Sequence, residues 1–381
     1  MKIYELIATT TFGLEAIVKR ELMDLGFEIT ETENGKVTFK SDVRGIAKAN
    51  LWLRCADRVL LKVAQFKAIT FDELFEKTKK IDWSEFIPKN GRFPVDGQSV
   101  KSTLFSISDS QAIVKKAIVE NLKTKYKIEW FPEDGPVFNV KVSLLKDIAT
   151  LTIDTSGNAL HKRGYRQNAV IAPLKETLAA ALVKLSFWNK DRVLIDPFCG
   201  SGTIAIEAAL IGKNIAPGLY REFASMQWPL IESEIWNAAK REALTMIDNT
   251  SNIEIYGYDN VQENIDASIA NADEAGVLDC IKFELQDFYD LNLKDDYSVI
   301  ITNPPYGERL SELEEVKNLY KVFGQKLSKL ETLSIYVITS DMEFEKIFGR
   351  IADRRRKLYN GRIETVYYQF HGKNPKKEAT T

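Results

Sequence analysis

The chain opens on an alternation, Ile3-Tyr4-Glu5-Leu6-Ile7-Ala8, that predicts a strand. Residues 14–22 then repeat apolar side chains at three- and four-residue spacing, which predicts a helix closed by Gly26. Strands over residues 27–30 and 36–40 flank Asn34-Gly35, a strong signal for a tight hairpin turn. A helix over residues 43–51 and a strand over 59–66 complete a β-α-β-β-α-β order, the pattern of a ferredoxin-like unit.

Residues 67–157 repeat the mixture more loosely. A helix is expected over residues 71–78, strand character around residues 100–103, and a basic helix over 110–124 that carries Lys115 and Lys116. Strands over 137–143 and 148–154 end at the turn Ser156-Gly157-Asn158. From there the pattern changes to a helix over 173–187 and short β-branched runs at 193–196, 253–259, 281–285, 299–302 and 335–339, separated by helical stretches. Apolar runs alternating with helices predict a parallel sheet covered on both faces. Residues 356–359 and 363–370 flank a second turn signal, Asn360-Gly361, so an antiparallel hairpin is expected at the end of that sheet. The expected organisation is therefore three parts, residues 1–66, 67–157 and 158–381.

Composition narrows the class. With 45% hydrophobic and 28% charged residues the chain is globular, which excludes a disordered, collagen-like or coiled-coil protein. Its uncharged apolar runs fall far short of the ~20 residues of a membrane span. The N-terminus has no apolar signal region, and three cysteines cannot build a disulfide framework. A cytoplasmic protein with no membrane partner is expected. Charge is uneven: residues 1–170 carry 27 Lys and Arg against 22 Asp and Glu, whereas the remainder is acidic. A mildly basic front half hints at a polyanion-binding module.

Three motifs carry chemistry. Residues 193–203 end in Asp196-Pro197-Phe198-Cys199-Gly200-Ser201-Gly202-Thr203, an apolar strand and a Gly-bearing turn leading into a helix. Such a turn cradles a ligand at the carboxyl edge of a sheet. It lacks the lysine of a nucleotide-phosphate loop, and Asp196 would repel a pyrophosphate. A ligand with an ammonium group and no phosphate fits better, and S-adenosylmethionine is one. Asp259-Asn260 at the end of the next strand can accept hydrogen bonds from ribose hydroxyls, and Asp287-Phe288 offers a carboxylate and an aromatic edge to an adenine. The most specific motif is Asn303-Pro304-Pro305-Tyr306-Gly307-Glu308-Arg309. Two prolines after a strand make a rigid turn whose carbonyls face outward. The Asn303 side-chain oxygen and the Pro304 carbonyl can accept both hydrogens of an exocyclic amine, and Tyr306 offers a face for a flipped-out base.

The turn at 196–203 together with Asn303–Tyr306 resembles the class I S-adenosylmethionine-dependent methyltransferases that modify exocyclic amines. A closer resemblance is to the THUMP-containing RNA guanine-N2 methyltransferases acting on large-subunit (23S) ribosomal RNA. It is carried by His161-Lys162-Arg163-Gly164-Tyr165-Arg166, Ala172-Pro173-Leu174-Lys175-Glu176, Ile215-Ala216-Pro217-Gly218-Leu219 with Trp228, and residues 303–309. The resemblance implies an α/β fold: a Rossmann-like class I sheet with an antiparallel terminal hairpin, preceded by an α+β ferredoxin-like unit and a THUMP domain. It implies that Asp196, Gly200 and Gly202 line the methionine end of the cofactor, with Phe198, Cys199, Ser201 and Thr203 in the same turn and Cys199 packing rather than reacting. Asp259 and Asn260 would hold the ribose, Asp287 and Phe288 the adenine, and Asn303 through Tyr306 the target amine and base. Asn303 is expected beside the cofactor as well. Lys162, Arg163, Arg166, Lys115, Lys116 and Arg309 would contact ribosomal RNA, naked or within a pre-50S particle, and no metal is called for. Some relatives continue into a second methyltransferase domain; this chain stops at Thr381, so that activity is expected to be absent. Competing readings are a tRNA guanine or a DNA amine as substrate, a non-catalytic RNA-binding assembly factor and, more distantly, a dehydrogenase.

Overall fold

In the computed structural model, which describes residues 2–166, 174–294, 296–306, 310–327 and 329–374, the first elements are β1 (Tyr4–Thr9), α1 (Glu15–Asp24), β2 (Glu28–Glu33), β3 (Lys36–Ser41), α2 (Val43–Trp52) and β4 (Arg58–Lys67). They are followed by α3 (Phe71–Lys79), β5 (Val95–Val100), α4 (Ile107–Tyr126), β6 (Val140–Leu145) and β7 (Ile148–Asp154). The chain divides into two compact units, one of residues 1–10, 18–160 and 221–242, the other of residues 11–17, 161–220 and 243–381.

The seven strands of the first unit form one sheet in the order β2-β3-β1-β4-β7-β6-β5. Register explains why it is continuous. Phe39, Leu6, Leu61, Ile153 and Val140 pair in turn across five strands, and all five are fully buried. One apolar row therefore crosses the expected divide at residue 66, joining the ferredoxin-like order to the strands that follow it. Helix starts are fixed locally: the side chains of Asp42, Thr70 and Ser106 each accept a backbone N–H in the first turn of α2, α3 and α4. The expected strand around residues 100–103 ends instead at Val100. Lys101 takes φ +50°, and the Thr103 N–H donates to the Asp147 carboxylate at 2.6 Å, which turns the chain out of the sheet. Residues 221–242 pack in this unit too: Trp228 stacks on Phe138 with ring centres 4.8 Å apart and donates its Nε1–H to the Val137 carbonyl.

The second unit contains α5 (Glu176–Leu185), β8 (Leu194–Asp196), α6 (Thr203–Gly212), β9 (Ile255–Asp259), α8 (Gln262–Glu274) and β10 (Ile281–Leu285). The chain between α6 and β9 carries α7 (Ser233–Thr245). Then come β11 (Val299–Thr302), α9 (Leu310–Leu327), β12 (Ser334–Thr339), α10 (Phe344–Phe348), β13 (Arg354–Asn360) and β14 (Ile363–Phe370). The strand order is β10-β9-β8-β11-β12-β14-β13, parallel except for β14, which lies antiparallel between β12 and β13. Ile195, Ile300, Ile335 and Phe370 pair across four strands and pack on Tyr320 and Phe323 of α9 and Phe344 and Phe348 of α10. α5 begins at Glu176; its expected start at residue 173 lies outside the described residues. No described helix is long and apolar enough to cross a membrane.

Candidate active site

β8 and β11 are neighbours at the point where the strand order reverses, and open α/β sheets leave a crevice outside the carboxyl ends of such strands. A cleft of about 770 Å3 lies there, lined by Pro197, Phe198 and Gly200 after β8, Asp259–Val261 after β9, Asp287–Tyr289 after β10, Asn303 and Pro305 after β11, and one face of α9. Its described lining carries three carboxylates, Asp259, Asp287 and Glu315, and no basic side chain. A cleft of that charge favours a cationic ligand and disfavours a phosphate.

The turn after β8 is built on buried polar contacts. Asp196 is 1% exposed; its Oδ1 accepts the Thr302 hydroxyl at 2.6 Å and the Phe198 N–H at 3.2 Å. Gly200 and Gly202 take φ +53° and +78°, a conformation that strains other residues. A Cβ on Gly202 would also sit 2.9 Å from the Phe283 ring, whereas one on Gly200 would meet nothing within 4 Å. Gly200 therefore presents bare backbone to the cleft. Asp196, Cys199, Ser201, Gly202 and Thr203, all expected at the cofactor, are buried in the turn and do not line the cleft. Burial pushes the Cys199 thiol well above its ordinary range, so it supplies no thiolate nucleophile.

Burial likewise pushes the Asp196 carboxyl up to about 7, against the opposing hydrogen bonds from Thr302 and Phe198. Between the unfolded value near 3.8 and about 7, the folded chain holds a proton that the unfolded chain has lost. The resulting stability is present below the lower value and is lost as pH rises through the upper one. Asp196→Asn should therefore gain melting temperature relative to the parent as buffers move from acid to mildly alkaline. A difference that stays flat in calorimetry across that range would contradict the placement.

Asp259 ties the cleft walls together. Its Oδ2 accepts the Gly200 N–H at 2.9 Å, and its Oδ1 accepts the Val261 N–H at 3.1 Å and Asn264 Nδ2 at 2.9 Å. A carboxylate offers about four acceptor positions, so roughly one is left for a ligand hydroxyl rather than the two needed to hold a whole ribose diol. Asp287 accepts the Tyr289 N–H at 2.9 Å and Asn260 Nδ2 at 3.1 Å. Phe288 is 3% exposed and packs on Phe198 and Phe323.

At the end of β11, Asn303 and Pro305 line the cleft while Pro304 is buried. The Tyr306 hydroxyl donates to Asn303 Oδ1 at 2.5 Å, and the fully buried Tyr320 donates its hydroxyl to the Pro305 carbonyl at 2.9 Å. Burial pushes the Tyr306 phenol up to about 12, so it stays a donor at neutral pH. The expected amine acceptor is thus already engaged by one hydroxyl. An amide oxygen has two lone pairs, which leaves one for an incoming N–H.

Of the expected phosphate contacts, Arg163 needs correction. Arg163 is 5% exposed; its guanidinium lies 3.3 and 3.4 Å from the two Glu207 oxygens, and Tyr165 donates to the same carboxylate at 3.2 Å. Arg166 pairs with Glu176 at 3.3 Å and donates to the Thr203 hydroxyl at 2.7 Å. Both arginines fasten residues 161–166 to α6 and α5 inside the domain, where no backbone phosphate reaches Arg163. Lys115 is held by Glu133 and the Phe93 carbonyl; Lys116 and Lys162 are exposed; Arg309 lies outside the described residues. Sequence reading missed Thr302, Asn264, Tyr320 and the α9 wall of Glu315, Val316, Asn318 and Leu319. The last four share a face at helical spacing, but Val316 and Leu319 read as ordinary core and Glu315 and Asn318 as its solvated flank.

Residues 163–369 match the family model for the RMKL-like methyltransferase domain, residues 5–60 that of the RlmL ferredoxin-like domain, and residues 68–154 that of the THUMP domain. The chain is 51% identical to the Bacillus subtilis protein named "Putative RNA methyltransferase YpsC", over 100% of this chain and 99% of the relative. It is 34% identical to the ribosomal RNA large subunit methyltransferase K/L of Syntrophotalea carbinolica over 95% of this chain, which spans about half (53%) of that relative. The crystal structure of SMU.472 complexed with SAH superposes with a TM-score of 0.93 at 42% identity, covering 98% of this chain and 99% of that one.

Proposed function

The chain belongs to the RMKL-like methyltransferase family, and from that premise we propose that it methylates the exocyclic N2 amine of a guanosine in large-subunit (23S) ribosomal RNA. Membership makes it an S-adenosylmethionine-dependent RNA methyltransferase; the guanine N2 atom and the ribosomal substrate are the proposal. The observation that carries the proposal is a cleft of three carboxylates with no described base, running from the Gly200 turn to Asn303.

The lining fits the cofactor. Gly200 would let it approach closely, Asp259 would accept one ribose hydroxyl, and Asp287 with Asn260 would face the adenine. S-adenosylmethionine supplies an electrophilic methyl group on a positive sulfonium. The chain's own part is positioning. Asn303 Oδ1 and the Pro304 carbonyl accept the two amine hydrogens, which turns the nitrogen lone pair away from the base ring and outward. The same two oxygens stabilise positive charge developing on that nitrogen. The Tyr306 ring supports the extruded base by stacking. The excess proton leaves to water, so no strong base is required.

Stacking of a base on an aromatic ring is worth about 1–3 kcal/mol. Tyr306→Ala is therefore expected to raise KM for RNA by roughly 5- to 150-fold, while Tyr306→Phe, which keeps the ring, stays near the parent value. Equal losses in both variants would contradict a stacking role. The proposal itself is tested by incubating the purified chain with labelled S-adenosylmethionine and either large-subunit rRNA or tRNA, then separating the digested nucleosides. Labelled N2-methylguanosine from rRNA supports it; label in N6-methyladenosine, or in tRNA alone, overturns it.

A further inference from the structure

Residues 350–362 hold six basic side chains, Arg350, Arg354, Arg355, Arg356, Lys357 and Arg362, against the single acid Asp353. The chain as a whole carries a net charge of −2, so this is a concentrated local excess. The segment comprises β13 and its turn into β14, and β13 is the outermost strand of the second sheet. Some of the charge is balanced internally. Arg355 pairs with Glu345 at 2.7 Å, Lys357 with Glu364 at 2.6 Å and Arg350 with Asp353 at 3.5 Å. Arg354 and Arg362 are exposed, and neither belongs to an ion pair among the described residues.

Register places the tip of this hairpin at the cleft edge of the sheet. β14 runs antiparallel to β12 with Val366 opposite Thr339, and Asn360 faces Ile363 across the turn. Residues 360–365 thus project past the carboxyl end of β12, the end at which the neighbouring β11 delivers Asn303. The Asn360 side chain also acts on the Tyr306 phenol, holding down its proton affinity against burial, which brings the hairpin tip to the turn of residues 303–306.

We propose that the β13–β14 hairpin is an RNA-backbone-binding edge of the active site, with Arg362 at the tip on a phosphate beside the target nucleotide and Arg354, at the opposite end of β13, on a phosphate farther along the same RNA strand. The six residue steps from Arg354 to Asn360 span ~20 Å of strand, the reach of a few nucleotides of extended RNA, and a guanidinium presents a planar fork that suits phosphate oxygens. A strand held along this edge ends at Asn303 and Tyr306, where the base must be delivered. The α4 lysines offer less: Lys115, Lys123 and Lys125 are already paired with Glu133, Glu129 and Asp82. The proposal takes its ligand class from the RNA-methyltransferase reading and does not depend on guanine N2.

The test uses the full chain, transcribed large-subunit rRNA as the probe, and the dissociation constant measured over a series of KCl concentrations. Arg354→Gln/Arg362→Gln is expected to reduce the slope of log Kd against log salt by ~1.4, about 0.7 per lost single-strand phosphate contact. Arg354→Lys/Arg362→Lys, which keeps the charge, should restore it. Lys329→Glu, beyond the far end of α9, should leave the slope at the parent value. An unchanged slope in the glutamine variant overturns the proposal. So does an unchanged slope accompanied by self-association in sedimentation, because the arginines would then only guard an edge strand. If the parent itself shows no salt-dependent RNA binding, the RNA reading fails along with the hairpin. If the parent binds and methylates while the glutamine variant keeps its slope, only the hairpin proposal fails.

Discussion

Asn303→Ala is expected to slow methyl transfer by about 100-fold or more, with a much smaller effect on affinity for S-adenosylhomocysteine. The reasoning is local. Asn303 sits at the carboxyl end of β11 and lines the cleft, and its Oδ1 is oriented by the Tyr306 hydroxyl at 2.5 Å. Removing one aligned acceptor from the place where charge develops costs about 2.7–4 kcal/mol of transition-state stabilisation in comparable sites. On the proposed mechanism that loss belongs to the chemical step, because the oxygen would touch the reacting nitrogen and not the remote parts of the RNA. Single-turnover kinetics should therefore show the fall in rate with KM for RNA nearly unchanged. Asn303→Asp keeps an oxygen for both Tyr306 and the amine and should retain more of the rate than alanine does. Parent-like turnover in Asn303→Ala would end the assignment.

A second large effect is expected on stability, at a position that sequence reasoning assigned to RNA. Arg163→Ala takes the guanidinium away from the Glu207 carboxylate, itself 0% exposed, and leaves it the Tyr165 hydroxyl as its partner among the described residues. Breaking a buried ion pair from one side costs roughly 3–5 kcal/mol, or on the order of 6–20 °C in melting temperature for a domain of this size. Replacing both partners, as Arg163→Met/Glu207→Leu, should recover much of the loss, since two apolar side chains need no compensation. The salt slope of RNA binding should not change in a folded Arg163 variant. A melting temperature within a degree or two of the parent, or a reduced slope, would contradict the buried role.

Much of the fold was legible because its signals are local. The two Asn-Gly pairs each mark a tight turn, and the β-branched runs at 281–285 and 299–302 coincide with β10 and β11. The strand over Val95–Val100 was not legible, because Asp96-Gly97-Gln98-Ser99 lacks both apolar alternation and β-propensity and is held in place by its pairing with β6. Sequence reading placed the carboxylates at the strand ends, and Asp259 and Asp287 do line the cleft. It could not see that Asp196 points inward to Thr302, since spacing along a strand fixes the face and not the partner. Nor could it tell Arg163 from Lys162. Both are basic and adjacent, and only the folded position of Glu207, forty-four residues later, separates a buried structural arginine from an exposed lysine. The α9 wall was hidden for a related reason: Val316 and Leu319 serve both the core and the cleft.

The central claim is that a proline-stiffened corner presents an acceptor to an exocyclic guanine amine beside a cleft shaped for a cationic cofactor. Nucleoside mass spectrometry with position mapping of ribosomal RNA, in cells carrying the gene, lacking it, or carrying it as Asn303→Ala, tests this most directly. The expected result is one N2-methylguanosine of the large-subunit RNA that is present with the parent gene and absent in the other two strains. A complement of N2-methylguanosine identical in all three strains would contradict the account.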